Sequence, residues 1–371
     1  MRVFISTGET SGDKHAANLI RALKRRKKDW GFIGIGGPYM SEEGVKIIFP
    51  ADKLSVIGFQ EALTKLKKLR ELLKEAVKSA TTSDLAILVD NPGFNLRLAR
   101  SLYLRGIPVV YYIVPQIWAW GSWRIRSIKK YVDLALPILP FEEPYLKRFG
   151  IHAHYVGHPI LDDLPLEKAG ELPLFDQPQI GFFPGSREDE IRRLLPRMKR
   201  IMEKIRVHLP DAHFHLSLLS PRGAEFFNDR DDTTVYFGDA HRVILNSHVV
   251  VAASGTVSLE AGLLGRPQVV VYVLSDLSWF VATALAKVRN VSLVNILLKK
   301  EVVPEYLQRI NPDVVAKTVS DLIKDKKRYE SIREELFKLK DILGCGSAPE
   351  KAASTIINFV EERNLTGVSY P

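Results

Sequence analysis

The chain has 371 residues, carries 53 Lys and Arg against 43 Asp and Glu for a formal charge of +10, and is 46% hydrophobic. That length exceeds one ordinary core and fits two domains of about 150 residues each, and the composition leaves no need for a large disordered region. The positive balance suits nucleic acid, acidic lipid headgroups or phosphorylated substrates, but the sequence lacks the Arg-rich blocks, zinc-finger spacing and RNA-recognition patterns that would favour nucleic acid. Cys345 is the only cysteine, so no intramolecular disulfide can form, which fits a reducing cytoplasm. Met1 to Gly8 reads as a short strand entering a glycine turn, not as a signal peptide. No segment reaches the roughly 20 uninterrupted apolar residues of a membrane span, so any membrane contact is expected to be peripheral.

In chain order, Val3–Ser6 predicts a buried strand, residues 7–13 a glycine-rich turn, and 15–27 a helix with Ala16, Leu19, Ile20 and Leu23 on one face. Further strands are expected at Phe32–Ile35, Leu85–Val89, Val109–Ile113 and Leu134–Ile138. Strands alternating with helical stretches indicate a doubly wound parallel sheet, whose ligands bind at the carboxyl ends of the strands. Prolines and glycines across 158–180 mark a linker. The pattern then restarts with a strand at Ile180–Phe183, a turn at Pro184–Arg187, a helix over 191–209, and strands at Phe214–Leu219, Val235–Phe237, Val249–Ala252 and Val269–Val273. Helices follow from 313 to 363, broken near Gly344-Cys345-Gly346. The expected organisation is α/β: a first Rossmann-like domain over 1–160, a second over 161–345, and a helical tail over 346–371 that packs back on the first.

The segment Ala253-Ser254-Gly255-Thr256-Val257-Ser258-Leu259-Glu260 follows an apolar strand and opens a helix. Small residues there let a phosphate approach backbone N–H groups, and Glu260 is placed to accept from ribose hydroxyls. A capped helix explains the same residues. In Pro184-Gly185-Ser186-Arg187, the arginine can neutralise a diphosphate with paired N–H donors, or simply pair with Glu188 or Glu190. The opening Gly8-Glu9-Thr10-Ser11-Gly12-Asp13 is neither a P-loop nor a dinucleotide fingerprint; it is either a polar-ligand turn or a tight connection. Asp90, just past a buried strand, can take a proton from a substrate hydroxyl or cap the next turn. Asn95 either holds that loop or touches substrate. His158, before Pro159 at the linker, is a candidate cleft residue or a structural one. His152/His154 and His213/His215 are paired at i,i+2, but no Asp, Glu or Cys cluster completes a metal site, and neither metal nor cofactor is expected. Residues 54–78 form a basic amphipathic stretch. Val56, Ile57, Phe59, Leu66 and Leu69 with Lys67 and Arg70 can lie in a headgroup region, or the stretch is an ordinary surface helix on the core. Trp118 and Trp120 are either exposed or core.

Nine segments together resemble the lipid-A-disaccharide synthase family along almost the whole chain. They are Gly8–Asp13, Gly36–Met40, Val89–Asn95, Val114–Trp120, Leu139–Glu142, Val156–Pro159, Phe183–Arg187 with Glu190-Ile191, Ser254–Ala261, and Val291–Asn295. The resemblance implies a GT-B arrangement of two Rossmann-like domains facing across a cleft, with inverting chemistry. The implied reaction joins UDP-2,3-diacylglucosamine to 2,3-diacylglucosamine 1-phosphate, giving a β(1→6) disaccharide 1-phosphate and UDP. It implies a nucleotide site of Gly185, Ser186, Arg187, Ser254, Gly255, Thr256, Glu260 and Asn295 in the second domain. It implies an acceptor site with Asp90 as base, His15 in the same cleft, and Ser11, Gly12, Asn95 and His158 around it. It also implies a protein held peripherally on the cytoplasmic face of an anionic inner membrane, and a homodimer is an open expectation. Two departures stand out. Many members carry a second Asp where this chain has Gly93, which favours Asp90 as base, and Val273 replaces a basic residue. The rivals are another GT-B sugar transferase, a UDP-sugar 2-epimerase, and a non-catalytic sugar-nucleotide or lipid binder.

Overall fold

The computed structural model describes residues 1–55, 62–119, 121–173, 176–219, 231–274, 290–344 and 346–366. The chain divides into two compact units, Met1–Asp162 with Cys345–Pro371, and Asp163–Gly344. In the first, β1 (Arg2–Ser6), β2 (Gly31–Gly36), β3 (Lys46–Pro50), β4 (Leu85–Val89), β5 (Val109–Tyr112) and β6 (Leu134–Leu136) form one parallel sheet in the order β3-β2-β1-β4-β5-β6. In the second, β7 (Gln179–Phe183), β8 (His213–Leu218), β9 (Thr233–Phe237), β10 (Val249–Ala253), β11 (Gln268–Tyr272) and β12 (Glu305–Leu307) form another parallel sheet in the order β12-β11-β10-β7-β8-β9. Each is the Rossmann order, with the reversal between its first and fourth strands.

The apolar runs explain why these strands are central. Successive side chains point to opposite faces of a sheet, and both faces here are covered. Phe4, Ala86, Leu88, Val109 and Tyr111 pack under the helices Ala62–Ala80, Pro92–Tyr103 and Ile125–Tyr131. Val3, Ile5, Ile87, Val89, Val110 and Tyr112 pack on the other side, with the helices Thr10–Arg26 and Ala348–Thr366. Leu19, Ile20 and Leu23 are fully buried there, and each contributes about 1.5–3 kcal/mol of burial. The second unit repeats the scheme, with Leu194, Met198, Ile201 and Ile205 of the Glu188–His208 helix packed against Ile180, Phe182 and Phe214.

Several boundaries differ from the sequence reading. The first helix starts at Thr10, so Ser11, Gly12 and Asp13 stand in its first turn instead of in a loop. The Glu188–His208 helix begins three residues earlier than expected and contains Pro196. The short strands β3 and β12 were not anticipated; each is an edge strand of only a few residues. The linker region contains a short helix, Ile160–Asp163, and a turn of 3-10 helix at Leu166–Lys168. Asp162 accepts from the backbone N–H groups of Ser347 and Ala348 (3.0 Å for the latter) and so caps the last helix. That helix packs against Thr10–Arg26, and Arg25 and Arg26 pair with Glu350 and Lys27 with Glu361. Val56, Ile57, Phe59, Trp120 and Cys345 lie outside the described residues, as does the side chain of Leu66.

One buried carboxylate holds the strand exits of the first unit together. Glu142 is 2% exposed; it accepts from Trp118 Nε1 at 2.8 Å and from the backbone N–H groups of Leu139 and Ile138 at 3.1 and 3.3 Å. Trp118 is itself buried and edge-on to Phe141, with centroids 4.8 Å apart; this resolves its exposure in favour of the core. Burial pushes the Glu142 carboxyl up to about 7, against the three donors that pull it down. Because this folded value lies above the unfolded one, the carboxyl favours the folded state most at low pH, and the contribution fades as pH rises toward and through 7. The stability of the parent protein relative to Glu142→Gln is therefore expected to fall by about 3 kcal/mol between pH 5 and pH 8. Thermal or urea melts of both proteins at the two pH values check this; a pH-independent difference refutes it.

Candidate functional site

At the reversal point of the first sheet, the connections after β1 and β4 leave toward opposite faces and open a crevice at the carboxyl edge. Glycines let the lining segments close on one another. A Cβ on Gly8 would lie 1.8 Å from Asn91 Nδ2, and one on Gly12 would lie 2.1 Å from Thr7 Oγ1. Thr7 is buried, and its hydroxyl has no hydrogen-bond partner among the described residues. Asp13 is also buried, accepting from the backbone of Gly37 at 2.6 Å, Tyr39 at 3.0 Å and Met40 at 3.3 Å. This explains the Gly36-Gly37 pair, since a Cβ on Gly37 would meet Asp13 Oδ2 at 2.6 Å.

Asp90 stands immediately after β4, half-buried, with φ at 49°, and Asn91 follows at 45°. Two consecutive non-glycine residues in the left-handed region are costly, and Asp and Asn tolerate it best. Next door, Ile113 leaves β5 at φ 60°, a true outlier for a β-branched residue. The Asp90 carbonyl accepts from the Tyr111 hydroxyl at 2.7 Å and from Asn95 Nδ2 at 2.8 Å. Asn95 is fully buried; its amide also reaches the Val89 carbonyl, and its Oδ1 accepts from Ser6 Oγ at 2.8 Å. Asn95 thus holds the loop, and the expectation that it touches an acceptor is corrected: its hydrogen-bonding capacity is spent inside the protein. The helix that follows has Asn91 as its N-cap residue, whose own side chain does not cap it.

His15 is half-buried and Ser11 exposed on the first helix. His158 is 7% exposed and accepts at Nδ1 from the Ile160 N–H at 3.2 Å. Burial, and then the neighbouring His15, push its imidazole down to about 3. His158 is therefore neutral, and the structure brings it together with His15 inside the first unit.

In the second unit the reversal lies between β7 and β10, and the two segments expected to hold a nucleotide flank it. Gly185 has φ 109°, and a Cβ there would meet Glu190 Oε2 at 2.6 Å. Glu190 reaches back to the backbone N–H groups of Ser186 and Arg187 at 3.3 and 3.4 Å, so the loop is closed by the helix it precedes. Ser186 and Arg187 are exposed, with Arg187 Nη1 3.8 Å from Glu190 Oε1. Burial, and then Glu190, raise the hydroxyl of Tyr272 at the end of β11, opposed by Arg187 and Arg193. On the other side, Gly255 is the N-cap residue of the Thr256–Leu263 helix, so no side chain at that position caps it. The Ser254 hydroxyl donates to the Val291 carbonyl at 3.2 Å. Gly255 and Thr256 are exposed, and a Cβ on Gly255 would meet open space. The capped-helix explanation of this motif therefore fails. Glu260 Oε2 lies 3.7 Å from His241 Nε2, a neighbour the sequence did not flag because it comes from another helix. Asn295 is corrected: it is fully buried, donates to the Val303 carbonyl at 2.8 Å and to Glu305 at 2.7 Å, and accepts from the N–H groups of Val302 and Val303. It folds its own loop and has no capacity left for a ligand.

Lys67 and Arg70 are exposed and Leu69 half-buried on the Ala62–Ala80 helix, with Leu69 packed against the core. A cavity of about 340 Å³ lined by Met1, Asp84, Leu85, Pro108, Phe359, Val360 and Arg363 lies at the opposite, amino edge of the first sheet and is separate from these crevices. Among the described residues no group of three or more His, Cys, Asp or Glu is gathered to hold a metal ion.

Residues 3–355 match the family model described as lipid-A-disaccharide synthetase. The chain is 37% identical over 381 residues to a lipid-A-disaccharide synthase of Myxococcus xanthus, covering 97% of both chains. It is 35% identical to that of Methylobacillus flagellatus, covering 96% of this chain and 99% of the other. Among solved structures it is similar in fold to a UDP-GlcNAc 2-epimerase from Neisseria meningitidis, with a TM-score of 0.64 at 12% identity over 96% of this chain and 100% of the other. It is similar too to the calicheamicin glycosyltransferase CalG4, with a TM-score of 0.64 at 13% identity over 97% and 98%. These likenesses establish a GT-B-like fold. With two Rossmann-ordered sheets and a full-length family match, the chain belongs to the lipid-A-disaccharide synthase family of glycosyltransferases.

Proposed function

We propose that this enzyme transfers a diacylglucosamine from its UDP ester to the 6-hydroxyl of diacylglucosamine 1-phosphate, with Asp90 as base and the second unit as nucleotide site. The observation that carries the reading is positional. Asp90 stands at the reversal point of one sheet, and both Pro184–Arg187 and Ser254–Glu260 stand at the reversal point of the other. In such sheets that is where ligands bind.

In the proposed reaction, the acceptor oxygen attacks the anomeric carbon as the bond from that carbon to the diphosphate breaks, inverting the centre. The hydroxyl proton passes to the Asp90 carboxylate, and the negative charge grows on UDP. Arg187 and the N-termini of the Glu188–His208 and Thr256–Leu263 helices stabilise that charge. Glu260 holds the ribose, and His241 orients it. His15 and the buried Thr7 hydroxyl serve the acceptor side. Asn295, Asn95 and His158 act by holding their loops.

The acyl chains of both substrates favour work at a bilayer, and the protein supports peripheral contact. No helix among the described residues is long and apolar enough to cross a membrane. The helices Ala62–Ala80, Pro92–Tyr103 and Ile125–Tyr131 cover one sheet face. They expose Lys67, Arg70, Lys74, Arg100, Arg126, Lys129 and Lys130, with Tyr103 and Leu104 beside them. Cations interleaved with exposed apolar groups suit an anionic headgroup layer.

Replacing Asp90 by Asn is expected to lower kcat by roughly 10²- to 10⁴-fold while UDP affinity, read by calorimetry, stays unchanged. Unimpaired turnover removes Asp90 as base. In sedimentation with vesicles, the protein is expected to follow phosphatidylglycerol-containing bilayers and not pure phosphatidylcholine, with binding lost in high salt and weakened by Lys67→Glu with Arg70→Glu. Equal partition onto both vesicle types refutes the electrostatic contact.

A further inference from the structure

Two histidine pairs share the spacing i,i+2, and the proposed transfer reaction uses neither. Side chains two apart on an extended segment project to the same side, so each pair can bring its rings together. The pairs differ in what their ring nitrogens have left to bind. His213 and His215 stand on β8 with ring centroids 5.0 Å apart. His213 Nε2 is 2.8 Å from Thr234 Oγ1, His215 Nε2 is 2.7 Å from Gln179 Oε1, and His215 Nδ1 is 3.2 Å from the Tyr236 hydroxyl. Those rings are engaged within their own sheet.

His152 and His154 are both exposed, and their Nε2 atoms lie 3.2 Å from each other. Among the described residues neither side chain makes another hydrogen bond. Their backbone is pinned to β6: the Ala135 N–H donates to the His152 carbonyl at 2.9 Å, and the His154 N–H donates to the Ala135 carbonyl at 3.0 Å. Ile151 and Ala153 are buried in the core on one side. The two imidazoles are therefore turned to the other side, where the ring of Phe359 from the last helix lies 6.3 Å from that of His152.

Two neutral imidazoles facing one another by the same nitrogen can share only one hydrogen, and two protonated ones repel. A metal ion that accepts both lone pairs meets neither difficulty. With metal–nitrogen bonds of about 2.0–2.1 Å, the 3.2 Å separation subtends about 100° at the metal, between the square-planar and the tetrahedral angle. Imidazole suits copper, nickel and zinc and leaves magnesium and calcium to oxygen ligands, and Cu²⁺ heads the affinity series.

We infer that His152 and His154 form a two-imidazole chelate for a divalent transition-metal ion, held most tightly as Cu²⁺, with water in the remaining coordination positions. Neither residue takes part in donor or acceptor binding, so the site stands or falls apart from the transfer reaction.

The test titrates the untagged full chain by calorimetry, in a non-chelating buffer, with Cu²⁺, Ni²⁺, Zn²⁺ and Mg²⁺ in turn. The proteins are the parent, His152→Ala, His154→Ala and His213→Ala. The parent should take up a single tight Cu²⁺, bind Ni²⁺ and Zn²⁺ more weakly, and give no heat with Mg²⁺. His152→Ala and His154→Ala should each weaken Cu²⁺ binding by roughly a hundredfold or more, because the second imidazole of a chelate binds as an intramolecular partner. His213→Ala should leave it unchanged. Both positions of the pair are exposed, so melting temperatures without metal should match that of the parent; should an alanine variant melt early, His152→Gln and His154→Gln are expected to show the same loss. Electron paramagnetic resonance of the Cu²⁺ form should show coupling to two imidazoles in the parent and to one in either single variant. A parent that binds no Cu²⁺, undiminished binding in a folded variant of His152 or His154, or an equal loss in His213→Ala overturns the assignment.

Discussion

The position of both proposed sites depends on one consequence of parallel sheet order. When the first and fourth strands lie side by side, the helices that follow them must leave on opposite faces of the sheet. Their backbones part at the carboxyl edge, and the exposed N–H groups of the outgoing segments line the gap. The chain uses this device twice, between β1 and β4 and between β7 and β10. Hydrophobic burial holds each sheet rigid from both sides, so the parting strands cannot close the gap by relaxing.

Loops at such an edge need their own restraints, because loop backbone has few ladder partners. Buried side chains with several hydrogen bonds supply them. Asp13 ties the first helix to the turn after β2, Glu142 ties the Trp118 loop to the exit of β6, and Asn95 ties the exit of β4 to β1. The half-buried Glu305 plays a similar part in the second unit, accepting from the N–H groups of Val291 and Ser292. A buried carboxylate without such donors would cost several kcal/mol; with them it fixes one loop conformation. The glycines at 37 and 185 belong to the same construction, since a Cβ at each would collide with the carboxylate, Asp13 or Glu190, that anchors the neighbouring segment, and those at 8 and 12 leave room for Asn91 and Thr7. Strain at Asp90, Asn91 and Ile113 is the local cost of presenting a carboxylate at the crevice instead of in the sheet.

The order of the nine motifs and the apolar strand runs were enough to identify the fold, the two sheets and the family. Buried strands have to be continuously apolar, and glycines at strand ends are demanded by close packing; both leave a readable trace. The edge strands β3 and β12 left none, because a short strand paired on one side needs no distinctive composition. The helix start at Thr10 was missed for a related reason: Gly12 has poor helix propensity, but packing against Thr7 overrides it.

By itself, then, the sequence determined which residues gather at the strand exits and which chemistry they can offer, since motif position along a strand–turn–helix unit is local information. It did not determine which polar residues face a ligand and which are consumed inside. Asn95 and Asn295 read as ligand contacts, yet each spends its amide on backbone groups of its own neighbourhood. His241 beside Glu260 arises from packing between segments distant in sequence. Only the tertiary structure decides such matters, because a hydrogen bond is satisfied in space, and the partner that satisfies it is not written next to it in the chain.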